Sequence, residues 1–170
     1  MATGAVAAPV TIVSRGPEET RVLGGRVGRL LRPGDVVLLH GDLGAGKTTF
    51  AQGLGAALGV VDFIQSPTFT LVNDYAASAN AAGIAVVHHL DLYRLAGDDE
   101  LDSIGYDDYL APEDGVSLIE WPERAATRLP DRGLLVAFEF APGGRAISIA
   151  TLAAGELAER VVAQLRDRPA

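Results

Sequence analysis

The order of apolar segments in this sequence predicts an α/β fold in which a mixed β-sheet is flanked by helices. In the first half, short continuous apolar runs alternate with segments whose apolar residues recur at helical spacing, the pattern of β-α units. In the second half, the turn Pro142-Gly143-Gly144 joins strand-like runs at residues 134–140 and 145–152, which predicts antiparallel strands toward the carboxyl terminus. No repeat or long linker divides the 170 residues, so residues 1–170 are predicted as one domain, with residues 1–9 flexible.

The first three elements are predicted as a strand, a helix and a second strand. Residues 10–13 form the first strand, and Gly16-Pro17 opens the helix because proline is tolerated in the first helical turn. Pro33-Gly34 ends it, and residues 36–39, an apolar run between turn signals, predict a strand buried on both faces. The apolar face of the helix consists of residues at helical spacing, Leu23, Val27, Leu30 and Leu31.

The middle of the chain is predicted to contain a second helix and an exposed hairpin. Apolar spacing marks a helix from Phe50 to Leu58, and Gly59 follows where a carboxyl-terminal cap belongs. Residues 66–68 form a polar turn and residues 69–72 an extended segment. Residues 76–83 form an exposed hairpin loop before a strand at residues 84–90.

The remaining elements are an acidic helical segment, a third buried strand and a terminal helix. Residues 98–110 are acidic and loosely helical, and residues 115–119 form another apolar run. After the two late strands, Leu157, Val161 and Leu165 define a carboxyl-terminal helix.

Composition excludes several classes of function. The chain contains no cysteine, which rules out disulfide scaffolds, thiolate zinc sites and cysteine nucleophiles. Its formal net charge of −8, with thirteen scattered arginines and one lysine, argues against independent binding of nucleic acid. No apolar stretch approaches the roughly 18 residues of a membrane span, and the amino-terminal residues lack a basic leader. We therefore expect a cytoplasmic protein with no membrane partner.

A glycine-rich loop carries the strongest functional signal. Residues 41–48, Gly-Asp-Leu-Gly-Ala-Gly-Lys-Thr, match the pattern G-x-x-x-x-G-K-[ST] at every fixed position, between a buried strand and an amphipathic helix. In such a loop, backbone N–H groups and the helix amino terminus bind phosphate oxygens. Lys47, the only lysine, would contact the β- and γ-phosphates, and the Thr48 hydroxyl would ligate magnesium. The predicted fold is therefore P-loop NTPase-like, with ATP or ADP and Mg²⁺ as ligands.

Two carboxylates are candidates for the metal side of this site. Asp91 and Glu120 each follow an apolar run that would end beside the loop if the sheet is parallel there. Either could instead be a solvated residue at a strand end, and spacing alone does not rank them. His88 and His89 are adjacent, so in a strand they face opposite ways, and we interpret both as structural. The sequence contains no N-K-x-D motif, which favours ATP over GTP.

Four segments in order resemble one protein family. They are Gly-Asp-Leu-Gly-Ala-Gly-Lys-Thr-Thr-Phe (41–50), Ser-Pro-Thr-Phe-Thr-Leu-Val (66–72), His-Leu-Asp-Leu-Tyr-Arg-Leu (89–95) and Ile-Glu-Trp-Pro-Glu (119–123). Together they resemble the bacterial ATPase family TsaE, formerly called YjeE. The last three segments have no general P-loop meaning, so the joint match is specific. It extends from the first predicted helix to Glu123.

The resemblance implies a role in making threonylcarbamoyladenosine on tRNA. TsaE-like ATPases work with TsaB and TsaD, and TsaD transfers the threonylcarbamoyl group. The resemblance therefore implies an Mg-dependent ATP hydrolase that is slow alone and activated by its partners. The tRNA would be contacted only indirectly, through the complex, which agrees with the acidic charge.

The resemblance also assigns residues. Thr48 and Glu120 become the magnesium ligands, and Asp91 supports hydrolysis. Residues 66–69 form a switch-like loop, Arg145 is a weaker nucleotide contact, and residues 18–20 lie on the adenine side. The predicted catalytic residues are Lys47, Asp91 and Glu120, and the predicted nucleotide-binding residues are Gly41, Leu43, Gly44, Ala45, Gly46, Lys47, Thr48, Thr49 and Glu123.

Two other functions share the loop. A small-molecule kinase would also need an acceptor pocket and an arginine-rich lid, and the acidic segment 98–108 makes a poor lid. A non-catalytic module would use nucleotide only as a structural ligand. The presence of Lys47, Thr48, Asp91 and Glu120 together argues against it.

Overall fold

Seven strands of the computed structural model, which describes residues 7–167, form one mixed sheet with helices on both faces. The strand order across the sheet is β1-β7-β6-β2-β5-β4-β3. Strands β6, β2, β5 and β4 are parallel, while β1, β7 and β3 run antiparallel to their neighbours. The strands β1 to β7 are Val10–Ser14, Val36–Gly41, Val72–Ala76, Val86–Asp91, Gly115–Glu120, Leu134–Ala141 and Gly144–Thr151.

Four α-helices and three other helical segments surround the sheet in the described chain. Helix α1 (Pro17–Gly28) begins on a proline and carries Glu18 and Glu19 in its first turn, where carboxylates favour the helix dipole. Helix α2 (Lys47–Ala57) leaves the glycine-rich loop directly, and Gly59 beyond its end has a φ of +77°, as a capping glycine should. The other segments are α3 (Asp98–Ser103), 3₁₀ helices Tyr106–Tyr109 and Pro122–Ala125, π-helix Ala158–Ala163 and α4 (Gln164–Asp167).

The sheet divides the core into two apolar clusters. Helices α1 and α2 and the carboxyl-terminal helix cover one face, where Leu23, Phe50 and Val161 are buried. Helix α3 and the first 3₁₀ helix cover the other, where Leu101 and Tyr106 are fully buried. Burial on both faces explains why residues 36–39 of the central strand β2 form an unbroken apolar run in sequence.

Helices α1 and α2 approach each other through glycines. A Cβ added at Gly24 would lie 2.2 Å from the Phe50 carbonyl oxygen, and one at Gly53 would lie 2.0 Å from that of Arg21. Only glycine fits these positions, so this pair of helices is packed backbone against backbone. The contact fixes the helix that follows the glycine-rich loop.

The structure confirms the predicted fold class and the antiparallel β6–β7 hairpin, and it corrects three local predictions. Helix α1 ends at Gly28, so Leu30 and Leu31 lie in the turn beyond it. Residues 69–72 are not extended: residues 68–70 form a turn, Leu71 has a φ of +66°, and strand β3 begins at Val72. The segment 98–110 is two short helices separated by Gly105, whose φ is +65°.

The ends of the chain are only partly described. Of the predicted flexible segment 1–9, residues 1–6 lie outside the described residues, and residues 7–9 have no regular secondary structure. Between residues 7 and 167, no helix combines the length and apolarity that a bilayer crossing requires.

Candidate nucleotide site

Three parallel strands end together at the candidate site. Glycine 41 ends β2, Asp91 ends β4 and Glu120 ends β5. Asp91 is the register partner of Glu120, which is also paired with Leu39 on β2. The carboxyl ends of parallel strands meet at one edge of a sheet, and this is where α/β folds bind ligands. A cavity of about 390 Å³ opens there between the strand ends and helix α2.

The glycine-rich loop connects β2 to the first turn of α2. Gly44 and Gly46 have φ values of +76° and +112°, a region of backbone conformation that side chains other than glycine rarely adopt. This backbone path brings the loop around to Lys47, the first residue of α2. Residues of the loop and of the first helical turn line the cavity, and backbone N–H groups at such a helix amino terminus favour the binding of anions.

Lys47 lies at the floor of the cavity and is 5% exposed. Its ammonium group donates hydrogen bonds to the carbonyl oxygens of Gly41 and Asp42, the latter at 2.9 Å. Burial lowers the pKa of Lys47, and the nearby charges of Glu120, Asp91, Glu123 and Asp42 oppose that shift without cancelling it. A cation in such a dry position interacts strongly with any anion that enters the cavity.

Thr48 and Glu120 provide oxygen atoms suited to magnesium. The Thr48 hydroxyl donates to Glu120 Oε1 at 3.5 Å, and both residues line the cavity beside Lys47. Magnesium prefers hydroxyl, carboxylate and phosphate oxygens and usually takes only one or two protein ligands when it accompanies a nucleotide. Across residues 7–167 no group of three or more His, Cys, Asp or Glu side chains could hold a metal ion unaided. The donor set therefore fits a metal that shares its ligands with phosphates.

Asp91 is held by three hydrogen bonds. Its Oδ2 accepts from the Ser66 hydroxyl at 2.7 Å and from the Thr68 hydroxyl at 3.1 Å, while Oδ1 accepts from the Tyr93 backbone N–H at 2.9 Å. Asp91 is 3% exposed. The loop that the sequence predicts as switch-like is thus bonded directly to the carboxylate that the sequence predicts as catalytic.

An aromatic pair forms the wall opposite the glycine-rich loop. The Trp121 ring lies 4.5 Å from Lys47 Nζ and 4.8 Å from the Tyr93 ring, measured to the centroid. Trp121 has a φ of +59°, an uncommon conformation for a bulky residue, and its N–H donates to the Leu39 carbonyl oxygen. The backbone therefore turns sharply after Glu120 and brings the indole over the lysine.

Arg145 reaches the site from the far hairpin. It is the second residue of β7, and its guanidinium donates to the Gly44 carbonyl oxygen at 2.9 Å. Arg145 also lines the cavity, so a cation from β7 stands beside the glycine-rich loop.

Most predicted site residues meet at this cavity, and a few lie outside its lining. Gly41 contributes its carbonyl oxygen to Lys47, Ala45 is fully buried, and Glu123 pairs with His40 at 3.1 Å. From the predicted adenine-side segment 18–20, only Thr20 lines the cavity. The predicted residues in the lining are Thr20, Leu43, Gly44, Gly46, Lys47, Thr48, Thr49, Ser66, Thr68, Asp91, Glu120 and Arg145.

The cavity lining also includes Pro17 and Tyr93, for which the sequence motifs give no role, and Trp121, which adjoins Glu120 in sequence. His89 is interpreted from the sequence as structural, and its Nε2 lies 2.8 Å from Glu120 Oε1. The period of a strand contains the signal for His89: it precedes Asp91 by two residues and therefore shares its face. Proximity to Glu120 and Asp91 in sequence was the available signal for Trp121 and Tyr93.

Comparison with known proteins gives one consistent family. The family described as "Threonylcarbamoyl adenosine biosynthesis protein TsaE" matches residues 14–147. Proteins named "tRNA threonylcarbamoyladenosine biosynthesis protein TsaE" are similar to the chain in several bacteria. The Bacillus subtilis protein is 38% identical over 120 residues, 71% of each chain. The Treponema pallidum protein is 41% identical over 139 residues, 81% of this chain and 98% of that protein.

A solved structure supports the same grouping. The crystal structure of Bacillus subtilis YdiB superimposes with a TM-score of 0.75 at 28% sequence identity, covering 96% of this chain and 97% of that one. The likeness therefore extends through the carboxyl-terminal strands and helices, where the sequence motifs give no guidance.

Proposed function

Because the chain belongs to the TsaE family, we propose that it is the ATPase of tRNA threonylcarbamoyladenosine biosynthesis, acting with TsaB and TsaD. The observation that carries the proposal is the convergence of Lys47, Thr48, Asp91 and Glu120 on one cavity beside the glycine-rich loop. The substrate is Mg-ATP, the products are ADP and phosphate, and tRNA is contacted through the partners. Since tRNA modification takes place in the cytoplasm, we place the protein there.

In this proposal the triphosphate lies along the backbone of residues 44–49. Lys47 neutralises the β- and γ-phosphate oxygens, and Glu123 stands on the nucleotide side of the site. Thr48 and Glu120 would hold magnesium, which would supply positive charge to the phosphate oxygens. Phosphoryl transfer requires mainly positioning and electrostatic stabilisation from the protein, and these residues provide both.

Asp91 positions the attacking water, directly or through a second water. The water oxygen bonds to the γ-phosphorus while the bond to the β–γ bridging oxygen breaks, and a proton is released with the phosphate. The hydrogen bonds from Ser66 and Thr68 hold Asp91 in place. A partner that moves loop 66–69 would therefore change the position of the carboxylate, which gives a physical route for activation.

Phosphate release from Mg-ATP by purified protein tests the catalytic part of the proposal. Lys47→Ala should lower the rate at least about 100-fold, the usual effect of removing a charge-stabilising donor from a phosphoryl-transfer or acyl-transfer site. Glu113→Gln, at the opposite end of strand β5, is the matched control and should keep the wild-type rate. A Lys47→Ala protein that is folded by circular dichroism and turns over normally would overturn the site assignment.

Addition of TsaB and TsaD tests the partnership. The rate of phosphate release should rise when both partners are present, and Lys47→Ala should show no such rise. Equal rates of the wild-type protein with and without the partners would refute activation. Transfer of the γ-phosphate to a hydroxyl acceptor, instead of water, would indicate the small-molecule kinase.

A further inference from the structure

A fully buried histidine contacts the proposed metal ligand. His89 lies on β4 two residues before Asp91, so its side chain is on the same face of the sheet as the catalytic carboxylate. Its side chain is 0% exposed, and Nε2 lies 2.8 Å from Oε1 of Glu120, which is itself only 4% exposed. His89 does not line the nucleotide cavity. Its contact with the site therefore runs through Glu120.

The surroundings of the ring favour a proton on Nε2. The second ring nitrogen, Nδ1, is buried and has no hydrogen-bond partner within the described part of the chain. A proton on Nδ1 would leave a buried donor unpaired and Glu120 Oε1 facing a bare nitrogen. With the proton on Nε2, the ring donates to the carboxylate, and only a lone pair is left unpaired. The geometry thus assigns Nε2–H as the donor.

Glu120 depends on this donor more than Asp91 depends on any one of its own. Three hydrogen bonds fix the Asp91 carboxylate. The Glu120 carboxylate accepts from Thr48 at 3.5 Å, the limit of a hydrogen bond, and from His89 at 2.8 Å. Glutamate also has one more rotatable bond than aspartate. Removing His89 would therefore release the carboxylate into several rotamers.

We propose that His89 is a positioning residue that holds the Glu120 carboxylate in the orientation in which it and Thr48 receive magnesium. The inference rests on the proposed Mg-nucleotide function and adds to it a residue that touches neither metal nor nucleotide. Hydrogen bonds to ligating carboxylates orient them, and their loss typically lowers metal affinity by about 10- to 100-fold.

Two amide substitutions separate positioning from packing. The side-chain NH₂ of glutamine lies about as far from the backbone as the imidazole Nε2, so it can donate to Glu120. The NH₂ of asparagine lies about as far out as Nδ1 and cannot reach Glu120. Both are buried neutral amides, so they control for polarity. The measurement is the ATP dissociation constant by calorimetry, with excess Mg²⁺ and with EDTA. The dissociation constant in EDTA divided by the dissociation constant in Mg²⁺ gives the contribution of the metal to ATP binding.

His89→Asn should reduce that ratio by about 10- to 100-fold while the constant in EDTA stays within about twofold. His89→Gln should restore the ratio to within about threefold of the wild type. In a Glu120→Gln background, His89→Asn should cause no further loss, because the two residues act as one unit. The positioning role would be overturned if His89→Gln and His89→Asn lowered the ratio of dissociation constants equally. It would also be overturned if His89→Asn left the ratio at the wild-type value.

Two measurements on the wild-type protein test the inference and the proposed function separately. Two-dimensional ¹H–¹⁵N spectra of the wild-type imidazole rings need no variant: a proton on Nε2 of His89 supports the inference, and a ring that carries its proton on Nδ1 and none on Nε2 overturns it even if His89→Asn does not fold. A wild-type protein whose ATP affinity is the same in Mg²⁺ and EDTA would overturn the proposed function itself. Metal dependence in the wild type that survives in His89→Asn would overturn the positioning role alone.

Discussion

Lys47 shows two opposed electrostatic effects in one side chain. Four carboxylates raise its pKa and burial lowers it, and burial is the larger effect. A triphosphate in the cavity would add negative charge next to Nζ, so we expect nucleotide binding to raise the pKa again. Burial thus disfavours the charged form of Lys47, and a bound triphosphate would favour it.

Tyr106 is a buried phenol whose hydroxyl has no partner in the described part of the chain. Burial raises its pKa from 10.0 to about 12, with Arg128 opposing and Asp107 adding to the shift. Between pH 10 and 12 the unfolded chain loses the phenol proton first, so the free energy of unfolding falls as pH rises through that window. A shift of about two units corresponds to about 3 kcal/mol, of which about 2 kcal/mol is lost by pH 12 and the rest above it.

Tyr106→Phe should remove this alkaline loss. At pH 7 the variant should be as stable as the wild type or slightly more so, because the substitution deletes an unpaired buried hydroxyl. Urea unfolding from pH 7 to 12 measures the difference. Tyr93→Phe, at a phenol that is 38% exposed, is the control and should retain the wild-type slope. Parallel pH profiles for wild type and Tyr106→Phe would contradict the assignment.

The site was predicted best at residues whose roles follow from sequence neighbours. Lys47 and Thr48 belong to a contiguous motif, and Asp91 and Glu120 end apolar runs, so strand geometry alone brought them to one edge of the sheet. Arg145 contacts Gly44 across 101 positions of sequence, and no local pattern reveals such a contact. His89 resembled a core residue because a hydrogen bond to a carboxylate leaves no trace in hydrophobic periodicity.

At the scale of elements, the pair α1–α2 fixes the helix that begins at Lys47. Gly24→Ala would place a methyl group 2.2 Å from the Phe50 carbonyl oxygen, whereas Gly25→Ala would meet its nearest atom, the Gly53 carbonyl oxygen, at 3.4 Å. Gly24→Ala should lower the free energy of unfolding by about 1–3 kcal/mol, the cost of overpacking. It should also weaken ATP binding, because α2 must shift.

Gly25→Ala is the matched control on the same helix. It should be neutral or stabilising by up to about 1 kcal/mol, since alanine favours helix over glycine and here has room. Chemical unfolding and calorimetry on the two variants measure both effects. Equal destabilisation by Gly24→Ala and Gly25→Ala would show that the close approach does not matter.

Two of the elements that the sequence misplaced show that apolar spacing does not determine backbone conformation. Leu31 is 1% exposed and continues the helical spacing, yet its N–H donates to Gly28 in a tighter turn after the helix. The segment 69–72 is apolar, but Leu71 adopts a positive φ and Phe69 is 83% exposed. Strand β2 was predicted well because a parallel strand buried on both faces is apolar along its length.

For the whole molecule, charge determines which ligands it binds alone. With a net charge of −8, the isolated chain should bind tRNA more weakly than about 10⁻⁴ M at 0.15 M salt, because nucleic-acid binding depends on release of counterions by basic residues. Fluorescence anisotropy with labelled tRNA measures this, with and without TsaB and TsaD. Tight binding by the isolated chain, weakening steeply with added salt, would contradict the expectation.

The site is also a product of the whole sheet. The glycine-rich loop leaves the central strand β2, Asp91 and Glu120 come from strands on one side of it, and Arg145 comes from β7 on the other. A change in the twist of the sheet would move these groups relative to one another. Sheet topology, which sequence patterns only outline, therefore determines how completely the cavity is enclosed.

The single lysine has a practical consequence for chemistry on this protein. Because no other side chain carries a primary amine, an acylating reagent or an aldehyde has one lysine target, which lies at the floor of the cavity. Its lowered pKa increases the fraction of free amine, the form that reacts. Mass spectrometry of one peptide would therefore serve as a footprint of the cavity, with labelling slowed whenever a nucleotide covers Nζ.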